Sequence, residues 1–96
     1  MILSFKDRGT ADIFFGRDSA ASRRVLPREL HRVAKKKLDW LNVAISLTSL
    51  GLPGLRLERL KGKRAEQHSV RINDQYRICF HWTTEGPEEV QIVDYH

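Results

Sequence analysis

Two runs of alternating apolar and polar residues, Ser69 to Asn73 and Gln75 to Trp82, constrain the fold more than any other part of the chain. Alternation with a period of two is typical of strands that bury one face, and the short polar break between the runs predicts a hairpin. The opposite side carries polar residues, among them Arg71 and Arg77. The apolar side consists of Val70, Ile72, Tyr76, Ile78, Phe80 and Trp82.

The parity of this alternation also predicts the register of the hairpin. For the apolar residues to share a face, Arg71 has to lie opposite Arg77, which leaves an odd loop of about three residues, Asn73-Asp74-Gln75. Asn and Asp tolerate the positive φ that we expect in such a loop. Two arginines on one open sheet face are unfavourable unless an anion binds there or acids neutralise them. The face is therefore either a phosphate site or a solvated surface with arginine stems lying over the sheet.

The first half of the chain predicts helices after a short strand. The strand covers Met1 to Phe5, a short helix covers Thr10 to Gly16, and Arg17 to Val25 is polar enough to be a loop. Apolar residues at spacings of three and four predict one long helix from Pro27 to about Leu50, with Gly51 as its carboxyl-terminal cap.

The second half predicts strands only. Leu55 to Leu60 precedes the hairpin, and Glu88 to Tyr95 follows it after a turn at Glu85-Gly86-Pro87. Helices at one end and consecutive strands at the other indicate an α+β fold, in which an antiparallel sheet has the N-terminal helices packed on one face. Residues 1–96 are expected to form a single domain.

Charge and cysteine content narrow the class of partner and the compartment. The formal net charge is +5 and the pI is about 9.8, which favours nucleic acid or an acidic protein as partner. Cys79 is the only cysteine, so no internal disulfide and no cysteine-pair metal spacing exists, and a reducing, cytoplasmic location is expected. No apolar run approaches the roughly 20 residues of a membrane span, and the start lacks a secretory signal pattern.

The residue types around the hairpin suit metal-independent RNA cleavage. This chemistry needs a base for the 2′-OH, cations for the phosphorane and an acid for the leaving 5′-oxygen. Lys61, Arg71 and Arg77 could neutralise the phosphate, and Glu58 is either a base or an ion-pair partner of Arg77. The acid candidates are His31, His68, His81 and His96. A run of eight Lys/Arg residues between Arg17 and Lys37 is either a solvated helix face or a docking surface for RNA phosphates or an acidic partner.

Several segments together resemble a known family. They are Ser4-Phe5, Pro53-Gly54, Leu57-x-x-Leu60-Lys61-Gly62, Ser69-Val70-Arg71-Ile72-Asn73-Asp74-Gln75-Tyr76-Arg77-Ile78 and Val93-Asp94-Tyr95-His96. On these residues the chain resembles the HigB toxins of the RelE/ParE superfamily over nearly its whole length. The run from Arg64 to Ser69 resembles the GraT branch of those toxins.

The resemblance implies a RelE-like fold and a ribosome-dependent mRNA endoribonuclease that acts in the A site of the 30S subunit without cofactor or metal. The implied partner is a HigA-type antitoxin with a helix-turn-helix domain. The toxin would contact operator DNA only indirectly, through this antitoxin. The family's catalytic lysine, arginine and histidine fall on Lys61, Arg77 and His96. Glu58 replaces a histidine found in many relatives, so the base is Glu58, a deprotonated Lys61 or His68. The expected RNA-binding residues are Arg59, Lys63, Arg64, His68, Arg71 and Tyr95.

Two other classes of function fit the same residues. A ParE-like gyrase inhibitor would bind a protein and cleave nothing, and a nucleic-acid-binding module would have no activity. Lys61 and the Asp94-Tyr95-His96 segment favour the nuclease.

Overall fold

The helices of this protein precede the strands of its sheet, and the predicted order of helices before the C-terminal strands is confirmed. The computed structural model describes residues 1–62 and 66–95. Two short 3₁₀ helices, Arg28–Leu30 and Leu47–Leu50, accompany three α-helices. The α-helices are α1 (Arg8–Phe14), α2 (Ala20–Val25) and α3 (His31–Val43), and the strands are β1 (Glu58–Arg59), β2 (Gln67–Arg71), β3 (Tyr76–Thr83) and β4 (Gly86–Asp94).

The four strands form one antiparallel sheet in the order β1-β2-β3-β4. Arg71 lies opposite Arg77, so the register that parity predicts is confirmed. The positive φ expected in the hairpin loop is wrong, because the non-glycine positions with positive φ among the described residues are Arg56 and Glu89. Asn73 shapes the loop through its side chain instead, since its Oδ1 accepts the backbone N–H groups of the two residues that precede Arg77.

The predicted strand over Met1 to Phe5 is reduced to an extended segment beside β4. It contributes one parallel bridge, and the amide of Val90 donates to the carbonyl oxygen of Ser4 over 3.1 Å. Gly86 permits this approach, because a Cβ there would lie 2.3 Å from the carbonyl oxygen of Met1 and the backbone has a φ of 138°.

The loop predicted over Arg17 to Val25 is wrong, because α2 occupies residues 20–25. Ser19 and Ser22 form a capping box in which each side chain bonds the other residue's backbone N–H, so the helix has a defined start despite its polar composition. Gly9 of α1 lets α2 pack closely, since a Cβ at Gly9 would lie 2.5 Å from the carbonyl oxygen of Ala21.

The single helix predicted from Pro27 to Leu50 is divided into three pieces. The 3₁₀ helix Arg28–Leu30 leads into α3, which ends at Val43, and Ala44 is extended with φ −65° and ψ 131°. A second capping box, of Ser46 and Ser49, then starts the 3₁₀ helix that Gly51 follows. Apolar spacing continues through this break, but two hydroxyl side chains that bond backbone amides favour a new turn over a continued helix.

The apolar side of the hairpin forms the core with the helices, as predicted. Ile78 and Phe80 are completely buried on this face. The helical contribution is Ile13, Leu26, Ala34, Leu38 and Leu41. The helices therefore cover one face of the sheet, which confirms the α+β architecture. No helix in the described part of the chain is long and apolar enough to cross a membrane.

Candidate active site

Arg77 lies on the sheet face that points away from the helices, and it is buried there. The alternation of β3 turns its side chain away from the core, yet its exposed fraction is only 7%. Its Nε donates to Ser69 Oγ over 2.7 Å, and its Nη2 donates to the carbonyl oxygens of Arg56 (2.6 Å) and Ser69 (3.3 Å). The expectation of an open face is therefore wrong at Arg77, because the backbone before β1 supplies an acceptor to this side chain.

The outer part of the Arg77 guanidinium meets an acid and an aromatic ring. Its Nη1 lies 3.7 Å from Glu58 Oε1, and the Glu58 side chain is 55% exposed. The Tyr95 ring centre is 5.7 Å from the guanidinium carbon. The backbone N–H of Tyr95 donates to the carbonyl oxygen of Gln75 over 2.6 Å, which holds Tyr95 beside the start of β3. Three of the residues predicted for the site thus come together: Glu58, Arg77 and Tyr95.

Both arginines of the hairpin are neutralised by acidic side chains. Two arginines on one face were expected to require either such acids or a bound anion. Arg71 forms an ion pair with Asp74 in the hairpin loop, as Arg77 does with Glu58. These pairs fit the solvated-surface interpretation at Arg71, whose side chain is 30% exposed.

Lys37 of α3 contacts the backbone of the hairpin from the helical side, and sequence reasoning missed it. Its Nζ donates to the carbonyl oxygens of Arg71 (2.8 Å) and Ile72 (3.1 Å). Burial lowers the pKa of Lys37, and the positive charges of Arg71 and Arg77 lower it further. The helical period could have identified Lys37, because it falls near the apolar positions Ala34, Leu38 and Leu41 of α3. The basic run as a whole is typical of a solvated surface, and Lys37 was counted with it.

Lys61 follows β1 and is exposed. Together with Arg59, Leu60 and Gly62 it lines a surface depression of about 380 Å³. Lys61 is three residues beyond Glu58, which corresponds to roughly 10 Å along a strand. The strands are antiparallel, so this displacement runs toward the register of His81 and away from Arg77. Lys61 and Arg77 therefore do not form one compact cluster.

His68 lies on the other side of the sheet from Arg77. It is the register partner of Phe80 and stacks on that core residue with ring centres 6.2 Å apart. Burial lowers its pKa, with smaller contributions in the same direction from Arg59 and His81. Its Nδ1 is buried without a hydrogen-bond partner among the described residues. The structure thus separates His68, and its register partner Arg59, from the Arg77 cluster.

The remaining histidines that the structure describes do not join Arg77 either. His31 Nε2 lies 2.8 Å from the carbonyl oxygen of Leu26, within the helical layer. His81 lies four residues along β3 from Arg77, with its Nδ1 3.9 Å from Glu88 Oε1. The predicted site residues Lys63, Arg64 and His96 lie outside the described residues. Within residues 1–62 and 66–95, no three His, Cys, Asp or Glu side chains group as metal ligands.

Comparison with known proteins places this chain in a family. Residues 3–96 match the family described as the RelE-like toxin of the type II toxin-antitoxin system HigB. The chain is also 31% identical over 83 residues to Toxin HigB-1 of Vibrio cholerae serotype O1 (strain ATCC 39315 / El Tor Inaba N16961), a match that covers 85% of this chain and 84% of the Vibrio protein. The chain therefore belongs to the HigB family of RelE-like, mRNA-cleaving toxins of type II toxin-antitoxin systems, and this membership implies an antitoxin partner.

Proposed function

We propose that this toxin cleaves mRNA on the ribosome, in the cytoplasm and without a metal ion, and that Arg77 stabilises the transition state. The observation that supports this most directly is the fixed position of Arg77, with its Nη1 turned towards the half-exposed carboxylate of Glu58. Preorganised cations are the main requirement for phosphoryl chemistry, since charge develops on the phosphate oxygens.

The proposed reaction is an intramolecular displacement at phosphorus. A base removes the proton of a ribose 2′-OH, and the 2′-oxygen attacks the adjacent phosphorus to form a phosphorane. Arg77 stabilises its negative charge, and the bond to the 5′-oxygen breaks as an acid gives that oxygen a proton. Lys61 would bind the RNA strand further along the sheet. The products are a 2′,3′-cyclic phosphate and a 5′-hydroxyl end.

Geometry favours Glu58 as the base. Its carboxylate lies on the same face as Arg77 and is half exposed, so the 2′-OH of a bound strand can reach it. His68 is less suited because it lies on the other face and stacks on Phe80. His96 is the proposed acid on the strength of the family resemblance, because imidazole exchanges protons near neutral pH.

The proposed RNA path follows the exposed side of this face. Tyr95 is 44% exposed, and its ring lies beside the guanidinium of Arg77, where a base can stack on it. Arg59 and Lys61 line a depression at the β1 edge of the sheet, where the RNA strand could continue, and Arg71 flanks the near end of the face. Lys63 and Arg64 complete the proposed set. The ribosomal A site would orient the strand, and orientation alone supplies several kcal/mol of a barrier.

The antitoxin in this proposal is of the HigA type, with a helix-turn-helix domain that alone contacts operator DNA. We assign its docking to α3 and the basic run from Arg17 to Lys37, on the opposite side of the sheet from Arg77. The exposed side of α3 offers apolar contacts at Val33, Trp40 and Val43, flanked by cations.

A reconstituted translation system tests the proposal. Wild-type protein should cut mRNA on programmed ribosomes and leave naked mRNA intact. Arg77→Ala should lower single-turnover cleavage by about 10²-fold or more, the usual effect of removing a charge-stabilising donor. Arg24→Ala, an exposed arginine on the helical side, is the matched control and should cleave normally. Full activity of Arg77→Ala, or equally fast cutting of naked mRNA, contradicts the proposal.

The same assay separates the base from the acid. Glu58→Gln and His96→Ala should each reduce cleavage by at least about tenfold, while ribosome binding persists. Glu58 is half exposed, and Glu58→Gln leaves the three hydrogen bonds of Arg77 in place, so a folding defect is not expected. A block of DNA supercoiling with intact mRNA would instead indicate a ParE-like gyrase inhibitor.

A further inference from the structure

Ser69 is a fully buried serine whose hydroxyl and carbonyl oxygen accept hydrogen bonds from Arg77. It belongs to β2, with an exposed fraction of 0%, and β-sheet register places it diagonally across from Arg77. A small side chain at this position leaves room for the arginine stem, and its hydroxyl lies 2.7 Å from the arginine Nε.

The hydrogen bonds of Arg77 divide its guanidinium into an inner and an outer part. A guanidinium carries five N–H donors: one on Nε and two on each terminal nitrogen. The Nε donor bonds Ser69 Oγ, and Nη2 bonds the carbonyl oxygens of Arg56 and Ser69. The inner part is thereby occupied, and the two donors of Nη1 remain on the side of Glu58.

We infer that Ser69 is a positioning residue, whose Oγ and carbonyl oxygen fix the guanidinium plane so that Arg77 meets the scissile phosphate end-on, through Nη1. This inference rests on the proposed nuclease function and deepens it. Without the Oγ acceptor, Nε loses its partner and the plane is free to rotate about the last side-chain bonds. A misplaced guanidinium would then stabilise the phosphorane less well, although its charge is retained.

The test uses two variants of nearly equal shape. Ser69→Thr keeps the hydroxyl, whereas Ser69→Val replaces it by a methyl group, and both β-branched residues suit a strand. Any crowding from the added methyl is common to the two. In single-turnover cleavage on programmed ribosomes, we expect Ser69→Thr to stay within about threefold of wild type and Ser69→Val to lose about 10- to 100-fold.

A second readout follows the arginine itself. The Nε–H signal of Arg77 in ¹⁵N NMR, assigned by its loss in Arg77→Lys, should exchange slowly with water in the wild type and in Ser69→Thr. It should exchange rapidly in Ser69→Val. This measurement needs no ribosome, so it decides whether Ser69 holds Arg77 even if the wild-type protein cleaves no mRNA and the proposed function fails.

A double-mutant cycle separates positioning from general stability. If Ser69 acts through Arg77, Ser69→Val should cause no further loss of cleavage in an Arg77→Ala background. Equal cleavage by the Thr and Val variants, whether fast or slow, overturns the inference. So does a loss in the Arg77→Ala background as large as in the wild type, or slow Nε–H exchange in Ser69→Val.

Discussion

At the scale of single residues, Arg77 is both a buried charge of the fold and the proposed catalytic cation. A buried charge is costly unless hydrogen bonds and a counter-charge compensate for its lost hydration. Three acceptor atoms and Glu58 supply that compensation here. Removing Arg77 also leaves the hydroxyl and carbonyl oxygens around it without their donor. An Arg77→Ala variant therefore tests folding as well as catalysis, and its stability has to be measured beside its activity.

His68 should make the stability of the fold depend on pH. Because burial lowers its pKa in the folded state, the unfolded chain takes up a proton more readily as the pH falls through the ordinary value of 6.5. The free energy of unfolding should thus decrease from about pH 7 towards pH 5, at which unfolded His68 is largely protonated. His68→Phe keeps an aromatic ring against Phe80, and its melting temperature should change less with pH over this range than that of the wild type.

Thermal unfolding followed by circular dichroism at several pH values measures this. Asp12 and Asp18 are the other described groups whose lowered pKa values stabilise the fold, but their contribution is lost only at lower pH, below their ordinary value of 3.8. They should not interfere above pH 5. An unchanged pH dependence in His68→Phe would assign the effect to another group.

For single residues, strand parity predicts which face of the sheet a side chain occupies. It does not predict burial that depends on backbone atoms far away in the sequence. Parity placed Arg77 on the face away from the core and opposite Arg71, and the structure agrees. The burial of Arg77 was not predictable in this way, because the carbonyl oxygen of Arg56 that accepts from it is 21 positions away. The ion pair with Arg77 was one of the two alternatives given for Glu58, and the structure shows this pair spanning β2, the strand between β1 and β3.

At the scale of secondary-structure elements, apolar periodicity predicted the hairpin, whereas the bounds of the helices depended on polar caps. The period of two predicted the hairpin correctly. The three-and-four spacing of apolar residues did not predict the end of α3, because this spacing continues beyond Val43. The two Ser-x-x-Ser capping boxes, at 19–22 and 46–49, were readable in the sequence and mark the start of α2 and of the second 3₁₀ helix. Attention to hydroxyl caps would have corrected both helical predictions.

Thr10 joins α1 to the sheet, and its hydroxyl should stabilise that contact measurably. Its Oγ1 accepts the backbone N–H of Ile92 over 3.0 Å and donates to Asp7 Oδ2 over 3.0 Å. Thr10→Val keeps the shape but leaves the buried N–H of Ile92 unpaired, at a cost of about 1–3 kcal/mol. Urea denaturation should show this loss, while the exposed control Thr84→Val should change the free energy of unfolding little.

Cleavage by the Thr10→Val variant should remain close to wild type, because Thr10 is on the helical side of β4. Faster hydrogen exchange at Ile92 would locate the defect at the α1–β4 contact. If the free energy of unfolding is unchanged, the Ile92 amide has found another partner and Thr10 serves only to fill space.

At the scale of the whole molecule, the sheet separates two cationic surfaces. Arg77 lies on one face, and the basic run from Arg17 to Lys37 lies with the helices on the other. Antitoxin docking on the helices would therefore leave the cleavage face uncovered by direct contact. The net charge of +5 favours an acidic partner on either surface, and electrostatic attraction should accelerate the encounter.

Charge reversal on the helical surface tests this assignment. The triple variant Arg28→Glu, Arg32→Glu and Lys36→Glu should slow association with the cognate antitoxin by at least about tenfold at low salt. The difference should shrink as ionic strength rises, because salt screens exposed charges. Stopped-flow association at several salt concentrations measures both effects. An unchanged association rate would move the docking surface elsewhere, and mRNA cleavage by the variant serves as the folding control.

The extended segment of residues 3–6 has a consequence for self-association. It runs beside β4, a strand of nine residues that would otherwise present a long row of unpaired backbone groups at the edge of the sheet. The opposite edge, β1, has only two residues, Glu58 and Arg59, both exposed and charged. Neither border invites another chain to add a strand, so accumulation of the toxin should not lead to fibrillar aggregation while this segment stays in place.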